Sequence, residues 1–231
     1  MINPELDPTE LHQSYSKGKP FPHIVIDEFL LPEYALKVAG ELEDISCLDW
    51  LFDPHSEQVN KWSMPNLSRL PSMTSAVLEY MNSPAALIFF ERLTGISLLI
   101  EDDTYLGGGV HISSRGGRLG VHADFNLHPS TNKHRRLNAL LYLNREWDPS
   151  WNGQLEIWEE DMTSALEEVF PIFNRLVIFN VTDKSFHGVP KTLLCPPNVR
   201  RISLALYYYT DDRPSEEKSP FHWASWQLPR S

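Results

Sequence analysis

Residues 137–181 read LNALLYLNREWDPSWNGQLEIWEEDMTSALEEVFPIFNRLVIFNV, and the fold turns on this stretch. Four short β-rich runs stand in it, Leu137–Asn144, Gln154–Glu159, Glu168–Phe173 and Leu176–Val181, set apart by turn formers such as Asn152-Gly153. Each has the length of a strand and is too short for a helix that buries one face. The same grain continues on both sides. Upstream lie Tyr105–Ser113 and Gly117–His122, where Gly116-Gly117 predicts a hairpin turn between the two. Downstream lie Ser185–Val189 and Arg201–Tyr209. Short strands at this spacing predict a sandwich or barrel rather than a parallel sheet wound with helices.

Ahead of residue 100 the pattern is different. The first 20 residues are polar and predict a loose helix or arm. His23–Leu30 reads as a strand, and Pro32 sits where a helix can start, followed by helical apolar spacing over Glu33–Ile45. Met73–Met81 and Pro84–Leu93 predict two more helices, broken at Ser83-Pro84. The expected fold is therefore mainly β with N-terminal α-helices: a double-stranded β-helix, or jelly roll, of the cupin-like kind. We expect one domain over residues 1–231, with a strand and supporting helices over 1–100 and the jelly-roll core over 101–212. The tail, 213–231, carries Phe221, His222, Trp223 and Trp226 and is expected to dock on the core, because aromatics at that density are sticky when exposed.

Composition narrows the function classes. Hydrophobic residues at 42% and charged residues at 22% suit a globular chain with a real core. A net charge of -11 argues against a general affinity for nucleic acid. The run Lys133, His134, Arg135, Arg136 reads first as a solvated loop and second as a local anion-binding patch. Two cysteines, Cys47 and Cys195, give no disulfide framework. No apolar leader follows Met1 and no run of about 18 apolar residues occurs, so a cytoplasmic chain is expected, with no membrane partner. The oligomeric state is not legible.

Chemistry concentrates at three places. Gly120-Val121-His122-Ala123-Asp124-Phe125 holds a His-x-Asp pair, whose side chains share one side of an extended chain. A second histidine, His187, stands in the later segment Ser185–Val189. Two imidazoles and one carboxylate on one side of an ion leave the opposite positions open, which is the facial triad of non-heme Fe(II) oxygenases. Fourteen residues beyond His187 comes Arg201, with Ser203 two places on and facing the same way. The planar fork of an arginine binds a carboxylate through two parallel hydrogen bonds, and a serine hydroxyl adds a third. Two other classes share part of this set: a jelly-roll module that binds a metal or ligand without catalysis, and a zinc hydrolase. Neither has a use for the arginine–serine pair.

HADF, FHGVP and RRISLALYYY together resemble the prolyl-4-hydroxylase-like branch of the 2-oxoglutarate/Fe(II) oxygenase superfamily, over roughly residues 104–210, with KPFPHIVIDEFL similar to its upstream strand. The resemblance implies that His122, Asp124 and His187 bind Fe(II) and that Arg201 and Ser203 bind 2-oxoglutarate. It implies a dioxygenase that uses O2 to hydroxylate an unactivated C–H bond of a peptidyl or small-molecule substrate, releasing succinate and CO2. Asp124 matters here, because halogenases of the family carry a small residue in that place. Many members have a cosubstrate-binding tyrosine on an early strand; the matching region, Tyr105–His111, identifies none.

Further candidates surround these. Asn138, Leu140 and Tyr142 alternate to one side of their strand; Asn138 would touch the cosubstrate if that side faces the site, and reads equally as a polar residue satisfied within the core. His111 reads as structural or as a support to the site. Arg115 and Arg118, beside the two glycines, read as solvated turn residues or as contacts to an anionic substrate. Trp147, Trp151 and Trp158 read as core or edge packing, with an aromatic substrate wall as the alternative. Among Tyr207, Tyr208 and Tyr209, alternation predicts at least one buried and one exposed.

Overall fold

The structure, a computed structural model, describes residues 1–43, 50–52 and 56–228. Helix α1 (Pro8–Lys17) opens on Asp7, whose carboxylate accepts from Thr9 N at 2.7 Å, with Pro8 at the first helical position. Strand β1 (His23–Ile26) and helix α2 (Pro32–Glu41) follow. The helix expected over Glu33–Ile45 is thus shorter; Ile45 and Cys47 lie outside the described residues. Strand β2 (Gln58–Met64) leads to helices α3 (Ser72–Met81) and α4 (Pro84–Thr94). Helix α4 starts at the Ser83 cap and stops at Gly95, where φ is 74°. Then come β3 (Ile100–Glu101), β4 (Gly109–Ala123), β5 (His134–Tyr142), β6 (Leu155–Trp158), β7 (Ala165–Val169), β8 (Arg175–Asn180), β9 (His187–Val189), β10 (Arg201–Thr210) and β11 (Ser225–Trp226). No helix among the described residues is long and apolar enough to cross a membrane.

All pairings are antiparallel, and the main path runs β1-β8-β5-β10-β4-β9-β6-β7. Strand β4 belongs to both halves of the jelly roll. Its first part pairs with β10, and its last part with β9 and β11, while β2 runs along its other edge. The expected hairpin at Gly116-Gly117 is absent: these glycines lie inside one fifteen-residue strand. The physical reason is a bulge. Register passes from Val59↔Arg118 to Lys61↔Ser113, so residues 114–117 face Asn60 alone, and Gly116 takes φ 80°. A glycine there bends the strand without reversing it. Residues 105–108, expected in a strand, form a turn instead, with Tyr105 at φ 50°. The run expected over Glu168–Phe173 is shifted back to β7, which ends before Pro171.

Period-two alternation sorts the sheet into two faces. Leu137, Ala139 and Leu141 of β5, Leu176 and Ile178 of β8, and Leu204, Leu206 and Tyr208 of β10 pack with Val77, Leu78 and Phe90 of the helices. Tyr142, Val177 and Phe179 point the other way, against Leu155, Ile157 and Val169 between the two halves of the roll. Tyr207, Tyr208 and Tyr209 are all buried, against the expectation that one would be exposed, because β10 is covered on both faces. Tyr208 donates from its hydroxyl to Met81 O of α3 at 2.9 Å, and Tyr207 and Tyr209 face inward.

Candidate active site

His122 is the penultimate residue of β4, Asp124 follows the strand, and His187 opens β9. His122 and His187 are direct partners in the β4–β9 ladder, so their rings meet, centroids 4.6 Å apart. Nε2 of His122 lies 3.6 Å from Asp124 Oδ1, and Nε2 of His187 lies 3.5 Å from Asp124 Oδ2. One donor atom from each of the three falls within 4.8 Å of the others, the one such cluster found among the described residues. Each Nδ1 is engaged by a backbone carbonyl: Gly120 O at 2.9 Å for His122 and Ser185 O at 2.9 Å for His187. A carbonyl only accepts, so each Nδ1 carries the proton and each Nε2 presents its lone pair to the centre. Burial pushes the His187 imidazole down to about 4, against the pull of Asp124, so it is neutral, as a metal ligand must be. Burial pushes the Asp124 carboxyl up, but Arg135 and the two imidazoles more than reverse this and hold it well below the usual range. Two imidazoles that present Nε2 and an ionised carboxylate fit a divalent transition metal.

Asp124 is gripped from behind. Asn138 Nδ2 donates to its Oδ2 at 2.6 Å, and Arg135 Nη2 lies 3.3 Å from the same oxygen. Arg135 is 1% exposed and donates from Nε and Nη2 to Asn138 Oδ1 at 3.0 and 2.7 Å. The reading of residues 133–136 as a solvated loop is therefore overturned. His134, Arg135 and Arg136 open β5, and Arg136 too is buried, beside Glu217 at 3.7 Å. The sequence signal was masked by register: β5 and β10 slip between Tyr208↔Leu137 and Tyr209↔Arg135, leaving Arg136 as the extra residue. The slip turns Arg135 from the face of Leu137 to the face of Asn138.

Arg201 opens β10 and is 9% exposed. Its Nε donates to Gly153 O at 2.7 Å and its Nη2 to the Tyr142 hydroxyl at 3.1 Å. Ser203, equally enclosed, stands between Tyr142 on β5 and His111 on β4 in the ladder. Tyr142, assigned no role from sequence, thus orients the arginine. Gly153 does so from the other side. It sits at φ 84°, and a Cβ there would come 2.7 Å from the Trp147 ring and 3.5 Å from Arg201 Cδ. We expect Gly153→Ala to weaken 2-oxoglutarate binding about tenfold or more, read by titration calorimetry, although residue 153 offers no side chain to any ligand.

A cavity of about 860 Å³ lies over these groups, lined by His122, Asp124, His187, Asn138, Arg201 and Ser203 together with residues of β2 and of the C-terminal segment. Its described charged lining comprises Lys61, Arg118, Arg135 and Arg201 against the single carboxylate of Asp124. A strongly acidic chain thus encloses a cationic chamber, suited to an anion. The C-terminal segment closes one wall. Strand β11 pairs with β4 at Ala123 and His122, the Trp226 ring lies 4.8 Å from that of His122, and Trp223 lines the cavity while 60% exposed. His222 turns away to Asp183, at 2.9 Å. His111 lines the cavity with Nε2 held by Gly107 O at 2.8 Å. Arg115 donates to the carbonyls of Leu194 and Cys195, a structural role, whereas Arg118 reaches Ser56 O from the cavity rim. Trp147 and Trp151 pack against each other in a small cluster with Val189 and Leu193, and Trp158 against Val121 and Phe186.

Residues 108–209, which span β4 to β10, match the sequence profile of the 2OG-Fe(II) oxygenase superfamily. They are similar to a 2OG-Fe(II) oxygenase domain. His122, Asp124, His187, Arg201 and Ser203 all fall within the matched residues. The prolyl 3-hydroxylase OGFOD1 of Mus musculus is 30% identical over 79 residues, 32% of this chain and 14% of that protein's length. Among solved structures, a Pseudomonas putida prolyl-4-hydroxylase superposes with a TM-score of 0.60 at 16% identity, covering 88% of this chain and 98% of that one. HygX from Streptomyces hygroscopicus, solved with nickel and 2-oxoglutarate, superposes with a TM-score of 0.59 at 13% identity, covering 98% of each chain. At such identities this chain shares the double-stranded β-helix fold with these structures, and the fold alone.

Proposed function

We propose that this chain is an Fe(II)- and 2-oxoglutarate-dependent dioxygenase that hydroxylates an unactivated C–H bond. The observation that carries the reading is one cavity lined both by His122, Asp124 and His187 and by a buried arginine–serine pair. A structural metal module has no need of the second element, and a zinc hydrolase has no carboxylate for it to bind. In this reading the three ligands hold Fe(II) with their neutral and anionic donors. Arg201 and Ser203 bind the far carboxylate of 2-oxoglutarate, with the guanidinium aimed by Tyr142 and Gly153. Bound there, iron with 2-oxoglutarate supplies the oxidant that places one oxygen atom of O2 in the substrate, leaving succinate and CO2. Trp223, Trp226 and the rim of β2 enclose the chamber and limit water. Asp124 fills the place where chloride would bind, which supports hydroxylation over halogenation.

The substrate is peptidyl or a small molecule. The names of similar proteins span both: prolyl hydroxylases, and HygX solved with hygromycin B. The test is aerobic incubation with Fe(II) and 2-oxoglutarate against a panel of proline-containing peptides and small molecules, following succinate. Succinate released in step with an oxygenated product, and only with iron, is the expected result. No succinate with any of them, and none in slow turnover without substrate, would contradict the reading.

A further inference from the structure

We infer that Arg135 is a positioning residue that fixes the Asp124 carboxylate and biases the bound iron toward its ferrous state. The inference rests on the iron-binding reading above. A guanidinium 1% exposed is costly to bury and persists only when its surroundings compensate it. Here the compensation converges on the metal ligand. Arg135 faces Asp124 Oδ2 at 3.3 Å, donates twice to Asn138 Oδ1, and lies with Cζ 3.5 Å from the Tyr207 ring centroid and 4.4 Å from that of Phe125. Asn138 relays the contact, donating to Asp124 Oδ2 at 2.6 Å.

Two consequences follow. Oδ2 accepts from Asn138 and lies 3.3 Å from Arg135, so the carboxylate is fixed with Oδ1 3.6 Å from His122 Nε2 and Oδ2 3.5 Å from His187 Nε2. The second consequence is electrostatic. Ferric iron carries one more positive charge than ferrous iron, so a fixed cation behind the carboxylate disfavours it more, in a chamber where screening is weak. Arg135 therefore raises the Fe(III)/Fe(II) potential, and a triad without it would oxidise more readily. An arginine that merely filled the core would affect stability and leave the potential unchanged.

The experiment is a mediated redox titration of the full chain loaded anaerobically with Fe(II), following the ferric form by electron paramagnetic resonance. Wild type is compared with Arg135→Met and Arg135→Lys, with apo-protein circular dichroism as the control for folding. We expect Arg135→Met to lower the potential by at least one tenfold change in the ferric-to-ferrous ratio, about 59 mV for one electron. Arg135→Lys, which keeps the charge, should recover most of that shift. A loaded Arg135→Met with the wild-type potential overturns the inference while leaving the oxygenase reading intact. Failure of wild type to bind Fe(II) at all removes that reading, and the inference with it. Should Arg135→Met not fold, Asn138→Ala tests the same grip: we expect its Mn(II) dissociation constant to rise at least about fivefold, and an unchanged constant overturns the inference.

Discussion

Asp124→Ala abolishes Fe(II)-dependent turnover of 2-oxoglutarate. Two imidazoles remain, but the only anionic donor is gone, and with it the charge that a divalent ion gains over water. The substitution also strands Arg135, which is 1% exposed and faces Asp124 at 3.3 Å. Leaving one partner of a buried pair uncompensated costs about 3 to 5 kcal/mol, so the variant unfolds earlier in urea as well. Asp124→Asn separates the two effects. It keeps the shape and one oxygen acceptor for Asn138, and should recover part of the stability while turnover stays lost. Succinate release at a temperature where both variants are folded is the measurement. Turnover within tenfold of wild type in the folded Asp124→Ala protein would remove this residue from the metal centre.

Arg201→Ala raises the 2-oxoglutarate concentration for half-saturation about 30- to 1,000-fold. Truncating one partner of an enclosed, hydrogen-bonded charge pair typically costs about 2 to 4 kcal/mol, and each 1.4 kcal/mol is a factor of ten. The neighbouring Arg200 is the internal control. Its guanidinium donates to Pro197 O and Val199 O and does not line the cavity, so Arg200→Ala leaves saturation unchanged. Tyr142→Phe, which removes the hydroxyl bonded to Arg201 Nη2, should weaken binding by about five- to tenfold. A reversed order, with Arg200→Ala the damaging change, would mean that the other arginine serves the cosubstrate.

The parts of this site that were legible in the sequence are those whose signal is local. His-x-Asp places two donors on one side of an extended chain whatever surrounds it, and Arg-x-Ser does the same on β10. Alternation along β5 put Asn138 and Tyr142 on one face, and both line or support the site. What escaped notice depends on register and on distant segments. Arg135 reads as part of a basic loop because its own neighbours are basic; only the slip between β5 and β10 turns it inward to Asp124. Glycines at 116 and 117 look like a hairpin because a bulge and a turn use the same residue, and the difference lies in β2, opposite them. Strand β2 itself, QVNKWSM, half-buried along six of its seven residues, has no clean apolar alternation to announce it. Trp226 reaches the ring of His122 through two strand residues near the end of the chain, too short a segment for any periodicity.

The measurement closest to the central claim adds Fe(II) and then 2-oxoglutarate to the purified protein without oxygen, and follows the visible spectrum. A weak charge-transfer band, present in wild type and absent in His187→Ala, is the predicted result, because it requires iron in the triad and the 2-oxo acid chelated to that iron. Iron demonstrably bound, with no band at saturating 2-oxoglutarate, would contradict the account and leave His122, Asp124 and His187 as a metal site of another kind.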